Sequence, residues 1–272
     1  YKGSSWLTPN YKLCLVKLSR GGTDASEHRE FDTTAKRFVE DGFVLPEAKS
    51  GVAWLDSDTL LVGTNWGEGS LTESGYPRVA KLWKRGTSLA EAKTIFEGRP
   101  EDIGIWPRVM NFGEETLALV DQSLTFFTGA YHVLGSDGKL MRLPLQKSTD
   151  LAGFYAGRLL FTLREAWEVE GRTYKQGALL AINTANFKAD GKLPSIEIIY
   201  TPDDRSSIEG ITVSKGGLYI TLLQNVKGRI LRFIFEPQNG KWTSKPLPLP
   251  QNGAVSISAA SQHSDTIFTN YE

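Results

Sequence analysis

The chain has 272 residues, 40% hydrophobic and 23% charged, which is too apolar for a disordered chain and long enough to bury a sizeable core. Lys plus Arg equals Asp plus Glu at 31 each, so no net field draws it to nucleic acid or an acidic membrane surface. A single cysteine, Cys14, excludes an intrachain disulfide, three scattered histidines make no finger-like zinc set, and no run reaches the ~18 apolar residues of a membrane-spanning helix.

Short apolar runs alternate with Gly, Asn, Asp and Pro clusters, the pattern of many short strands. A four-strand unit recurs loosely. Its first copy runs from about Ser5 to Phe43, with strands at Trp6, Tyr11 to Leu18, His28 to Phe31 and Lys36 to Val39. The second has Gly51 to Trp54, Leu60 to Gly63, Arg78 to Lys84 and Thr94 to Phe96. The third is less clear: Val109 to Phe112, Leu117 to Val120, Ala130 to Leu134 and Leu140 to Leu143. The fourth has Leu151 to Tyr155, Leu159 to Leu163, Ala178 to Ile182 and Ile196 to Tyr200. The fifth has Gly210 to Val213, Leu218 to Leu222, Arg229 to Phe235 and Trp242 to Pro246. A partial sixth follows at Ala254 to Ala259 and Thr266 to Thr269. Helical periodicity is confined to single turns near Leu89 to Lys93 and Thr184 to Phe187.

A repeat of roughly 40 to 50 residues is the size of a four-stranded propeller blade. A lone blade cannot cover both its faces, so neighbours stack around an axis. The predicted fold is all-β: one β-propeller domain over 1–272, of four-stranded antiparallel blades, about six of them covered. A sandwich with coincidental spacing is the alternative. The start at Tyr1 without Met and the ending in mid-pattern at Tyr271-Glu272 predict a fragment.

The machinery of a hydrolase is missing from the sequence. No serine has glycine at both flanking positions of a nucleophile elbow, and the nearest approach is Gly86-Thr87-Ser88-Leu89-Ala90. His28, His132 and His263 are read as surface or rim histidines. Glu101-Asp102 and Asp203-Asp204 are sequence neighbours that diverge on an extended backbone, which does not make a glycosidase pair; a pair assembled from distant blades stays open. Gly67-Glu68-Gly69 lacks the helix of an anion site. No cofactor or metal is implied. Cys14 lies in an apolar run and is read as a buried thiol. Lys81, Lys84 and Arg85 around Trp83 are read as a strand face rather than a nucleic-acid tract.

The most specific text is Asp41-Gly42-Phe43-Val44-Leu45-Pro46, then Trp54-Leu55-Asp56-Ser57-Asp58, Gly69 to Arg78 (GSLTESGYPR), and Trp83-Lys84-Arg85-Gly86-Thr87. With Leu18-Ser19-Arg20-Gly21-Gly22-Thr23-Asp24-Ala25 and Gly171-Arg172-Thr173-Tyr174, it resembles the propeller of bacterial members of the prolyl oligopeptidase family of serine peptidases. The resemblance is densest from Tyr11 to Gly98. It implies a seven-bladed propeller, here truncated at both ends, that sits over an α/β-hydrolase domain carrying the Ser-Asp-His triad and restricts entry to short peptides cut after proline. The implied partners are that hydrolase domain, absent from this chain, and short proline-containing peptides. No nucleic-acid or membrane partner is implied, and open blade edges would favour dimerisation. The compartment is left as cytoplasmic or periplasmic. A free-standing propeller that binds a protein or peptide, and a propeller glycoside hydrolase, are the alternative functions.

One loop stands out. Asn65 to Pro77 joins the second and third strands of the second repeat, and long loops in compact domains are usually functional or disordered. Trp66, Tyr76 and Arg78 in or beside it are the candidate substrate or interdomain contacts, an aromatic platform next to a guanidinium. Local packing of Tyr76 and Arg78 at the start of strand three is the competing reading. Trp106-Pro107-Arg108 and Arg164-Glu165-Ala166-Trp167 invite similar readings, with tryptophans filling inter-blade space as the alternative. Pro246-Leu247-Pro248-Leu249-Pro250 reads as a connector between blades.

Overall fold

The apolar runs owe their composition to burial on both faces. Leu60, Leu61 and Val62, Leu119 and Val120, Leu159, Leu160 and Phe161, and Leu218 and Ile220 are all 0–1% exposed. A strand flanked by two others and covered above and below has no polar side to show. The computed structural model describes residues 1–187, 192–250 and 253–272. Among them are seven antiparallel sheets, five of which have at least four strands. The fold is an all-β propeller type built from four-stranded antiparallel sheets. The chain packs as two compact units: Tyr1–Met110 with Thr116–Lys147, and Asn111–Glu115 with Ser148–Glu272.

In the first unit, sheet 1 contains β1 (Gly3–Trp6), β2 (Leu13–Leu18), β3 (Ser26–Asp32), β4 (Arg37–Phe38) and β5 (Val44–Ala48). Sheet 2 is β6 (Gly51–Asp56), β7 (Thr59–Gly63), β8 (Val79–Lys84) and β9 (Lys93–Glu97). Sheet 3 is β10 (Gly104–Phe112), β11 (Glu115–Ser123), β12 (Gly129–Leu134) and β13 (Leu140–Arg142), with its β10–β11 tip counted in the second unit. The second unit holds sheet 4, of β14 (Thr149–Tyr155), β15 (Arg158–Leu163), β18 (Leu179–Asn183) and β19 (Ile196–Tyr200); between β15 and β18 lies a separate hairpin of β16 (Trp167–Val169) and β17 (Arg172–Tyr174). Sheet 5 is β20 (Ser206–Ser214), β21 (Gly217–Gln224), β22 (Lys227–Glu236) and β23 (Lys241–Pro246), and β24 (Val255–Ala260) pairs with β25 (Ile267–Tyr271).

Two elements depart from the sequence reading. The fourth strand expected at Lys36 to Val39 shrinks to Arg37–Phe38, and β5 takes up the same edge of β3 further along. Glu30 causes the break. Its buried carboxylate accepts the Phe43 amide at 2.8 Å, and its backbone amide and carbonyl bond Phe43 and Val39. Gly42 makes room for it: a Cβ there would lie 2.9 Å from Glu30 side-chain atoms. The β16–β17 hairpin was not expected at all. Its turn, Glu170-Gly171, has φ of 50° and 71°, the two positive values of a tight hairpin turn. The single helical turns near Leu89 and Thr184 are 3₁₀ turns at Leu89–Glu91 and Thr184–Asn186.

Sheets 1 and 2 share a core around Phe43, whose ring meets Trp54 and Trp83 edge-on at centroid distances of 5.7 and 4.9 Å. Trp54 Nε1 donates to the Ser5 carbonyl at 3.0 Å, so the indole fills the space between sheets and satisfies its own donor. In the second unit the connector after β23 does the same with aliphatic groups. Leu247 and Leu249 pack on Tyr219, Ile230 and Val255, and the Leu247 amide donates to the Ile230 carbonyl.

Candidate functional site

The loop from Asn65 to Pro77 is tied to itself. Asn65 Oδ1 accepts the Gly67 amide, Ser70 Oγ accepts the Trp66 amide and donates to the Gly67 carbonyl, and Thr72 and Tyr76 exchange backbone and hydroxyl bonds. The Glu73 amide donates to the Pro100 carbonyl, and Thr72 Oγ1 donates to that of Ile103. Serine, threonine and asparagine cap such turns because their short side chains reach local backbone groups.

The three singled-out residues go to three different places. Trp66 packs on the core of sheets 1 and 2, donates from Nε1 to the Val79 carbonyl at 3.0 Å, and carries the Lys81 ammonium 4.6 Å above its ring. Tyr76 lies edge-on to Trp106 at 5.5 Å, with the Lys49 ammonium 4.3 Å from its ring centre. It reaches Trp106 because Gly104 has no side chain; a Cβ there would sit 3.0 Å from that of Tyr76. Arg78 spreads its fork between two carbonyls, Nε to Gly69 at 2.6 Å and Nη1 to Gly98 at 2.8 Å. Replacing Arg78 by Ala strips both carbonyls of a charged donor. At a half-buried position we expect a loss of about 1–2 kcal/mol in denaturant unfolding, with faster amide exchange at Ser70, Thr72 and Tyr76. Lysine, with one ammonium for two acceptors, should not restore it.

Of the three histidines expected at the surface or rim, His263 is exposed and the other two are not. His28 is only 4% exposed, and His132 is half-buried, with Nε2 3.1 Å from Gln122 Oε1 and its ring 4.5 Å from that of Phe96. Gln122 continues to Asp102, whose Oδ2 it meets at 2.7 Å. His28 shares the covered face of an alternating strand with Ser26 and Glu30, where period two buries every second residue. Burial, then the nearby charge of Lys17 or Arg142, pushes the His28 and His132 imidazoles down to about 4. Burial likewise pushes the Cys14 thiol up, as suits an inert core thiol.

Ser88, the nearest approach to an elbow serine, is engaged as a cap: its Oγ donates to Glu91 Oε2 at 2.7 Å and its amide to the same oxygen at 2.8 Å. Among the described residues no group of three or more His, Cys, Asp or Glu side chains is placed to hold a metal ion. No helix among them is long and apolar enough to cross a membrane.

Beside the Tyr76–Trp106 contact, a cavity of about 480 Å³ opens between the first strands of sheets 1, 2 and 3. Lys2, Lys17, His28, Ser50, Trp106 and Arg108 are among its walls. Pro107 is seated there because the cross-strand pair Gly51 and Gly63 leaves a dent in sheet 2; Cβ atoms at those positions would lie 3.1 and 3.3 Å from its Cδ.

Comparison with known proteins places this architecture. Residues 3–110 match the family model for the N-terminal β-propeller domain of prolyl oligopeptidase. The uncharacterized peptidase y4nA of Sinorhizobium fredii is 34% identical over 274 residues, covering 98% of this chain and 38% of the relative. The uncharacterized peptidase RP174 of Rickettsia prowazekii is 26% identical, with 99% and 39% covered. A post-proline cleaving enzyme from Rickettsia typhi superposes with a TM-score of 0.90 at 24% identity, over 100% of this chain and 41% of that enzyme. The chain thus spans about two fifths of the length of each. Residues 3–110 are thus β-propeller sequence of the prolyl oligopeptidase family, and the four-stranded antiparallel sheets continue beyond them.

Proposed function

We propose that this propeller is the non-catalytic, substrate-gating part of a serine endopeptidase that cleaves short peptides after proline. The observation that carries the reading is the match of a propeller alone to two fifths of the length of relatives named as peptidases. The remaining length of such a protein would supply an α/β-hydrolase domain with nucleophile, base and oxyanion donors. Gating follows from size. An opening lined by sheet edges admits an extended chain, whereas a folded domain is tens of ångströms across. Enclosing the reaction also keeps out water and bystander proteins. The Asn65–Pro77 loop, with Trp66, Tyr76 and Arg78, is proposed as part of the surface that meets peptide or hydrolase domain, its internal bonding keeping that surface in one shape.

The test compares this chain with the full product of its gene. A proline-containing chromogenic peptide and a serine-reactive fluorophosphonate probe are offered to both. We expect turnover and labelling of one serine in the full product and neither in the 272-residue chain. The full product should also spare the same Pro–X bond when it is embedded in a folded host. Stoichiometric labelling of a serine within this chain, or cleavage of the folded host at the rate of the free peptide, would refute the proposal.

A further inference from the structure

The cavity between the first strands of sheets 1, 2 and 3 has a one-sided chemistry. Three cationic side chains, Lys2, Lys17 and Arg108, line it, and no carboxylate does. Arg108 is compensated by Asp121 at 2.9 Å, and Lys2 donates to the Thr23 carbonyl at 2.5 Å. Lys17 is different: half-buried, it makes no ion pair among the described residues. A cation held partly out of water without a counter-charge is a costly arrangement that an anionic ligand relieves.

A second observation is independent of the lysine. His28 stands directly opposite Lys17 across the β2–β3 pairing, and Gly3 stands opposite Lys17 on its other side. Cross-strand partners share a face of the sheet, so Gly3, Lys17 and His28 form one row. A Cβ added at Gly3 would meet nothing within 4 Å, so the row is open beside the lysine. The His28 ring, 4% exposed, forms part of the wall, and its Nδ1 has no hydrogen-bond partner in the structure. The opposite wall is apolar and aromatic: Val52, Pro107 and the Trp106 indole, whose Nε1 is already engaged by Ser123 Oγ at 3.1 Å.

We infer that this cavity binds the free C-terminal carboxylate of a short peptide, with Lys17 receiving the carboxylate beside the His28 ring and Trp106 the last side chain. The volume of about 480 Å³ lies within the range of small-ligand pockets and is suited to one or two residues rather than to a folded partner. The inference does not depend on gating; it concerns only what these walls recognise.

The test titrates this chain by calorimetry with the tripeptide Gly-Ala-Leu as free acid, the same tripeptide amidated, and inorganic phosphate. We expect the free acid to bind at least about tenfold more tightly than the amide, the loss of one charge-assisted contact. Phosphate should compete no more than weakly. Lys17→Met should lower free-acid affinity by about tenfold or more, and the imidazole signals of His28 should shift on adding the free acid and stay in place with the amide. Lys17→Gln provides a second variant should Lys17→Met fail to fold. Equal binding of acid and amide, phosphate binding as tightly as the peptide, absence of any binding, or unchanged affinity in the folded variants would each overturn the inference.

Discussion

Glu30→Ala is expected to destabilise the first unit by about 3 kcal/mol, read as a shift of its denaturant midpoint with an unchanged slope. The Glu30 carboxylate is 1% exposed and forms a two-pronged pair with Arg85, Nη1 to Oε2 and Nη2 to Oε1, each at 2.9 Å. It also accepts the Phe43 amide at 2.8 Å. Alanine leaves that amide without its acceptor and the guanidinium without its counter-charge over the Phe43 ring, 4.6 Å away. Removing one member of a buried pair costs more than the pair contributes, because the survivor stays desolvated. Arg85 is 27% exposed and keeps Asp58 and the Ser57 carbonyl, which holds the expected loss near the lower end of the usual range. For the same reason Glu30→Ala combined with Arg85→Ala should cost less than the sum of the two single changes. A loss under about 1 kcal/mol for Glu30→Ala would show that the pair does not hold sheets 1 and 2 together.

Acid should unfold the first unit before its carboxylates matter. His28 and His132 have an ordinary pKa of 6.5 and are pushed down to about 4, first by burial and then by Lys17 and Arg142 respectively. Between those values the unfolded chain binds a proton that the folded one refuses, so stability falls as pH falls. It is fully present above about 6.5 and is lost towards 4. Each such shift corresponds to up to about 3 kcal/mol, and two together approach the whole stability of an ordinary domain. Glu91 of the same unit is held below its ordinary value of 4.5 by bonds from Ser88, so its contribution is lost only at more acid pH. Denaturant midpoints measured from pH 7 to 4 should therefore decline steeply, and His28→Gln with His132→Gln should flatten that decline. An unchanged slope in the double variant would rule out these two imidazoles as its source.

Propeller architecture was legible in this sequence because its physical cause is local and repeated. Strands covered on both faces must be apolar throughout, so Leu60-Leu61-Val62, Leu159-Leu160-Phe161 and Leu218 to Leu222 mark the second strand of their sheets without reference to any partner. Pro and Gly clusters between them mark the turns, and the absence of an elbow glycine pair around every serine is a statement about sequence alone.

The candidate site was less legible, because adjacency in a loop does not say where a side chain points. Trp66, Tyr76 and Arg78 read as one platform, yet each is taken by different neighbours: Val79 and Lys81, Trp106 and Lys49, and the Gly69 and Gly98 carbonyls. The Glu30–Arg85 pair joins residues 55 positions apart, with no signal beyond an acid in an alternating strand. The cavity beside Trp106 is also a product of tertiary structure. Lys17 and His28 meet only through strand register, and Gly3, Gly51 and Gly63 matter only for what packs against them or fails to. Composition and period determined that these strands form stacked antiparallel sheets, since burial acts on each strand separately. Which polar groups were carried inside, and left there facing one another, was decided by how the sheets came together.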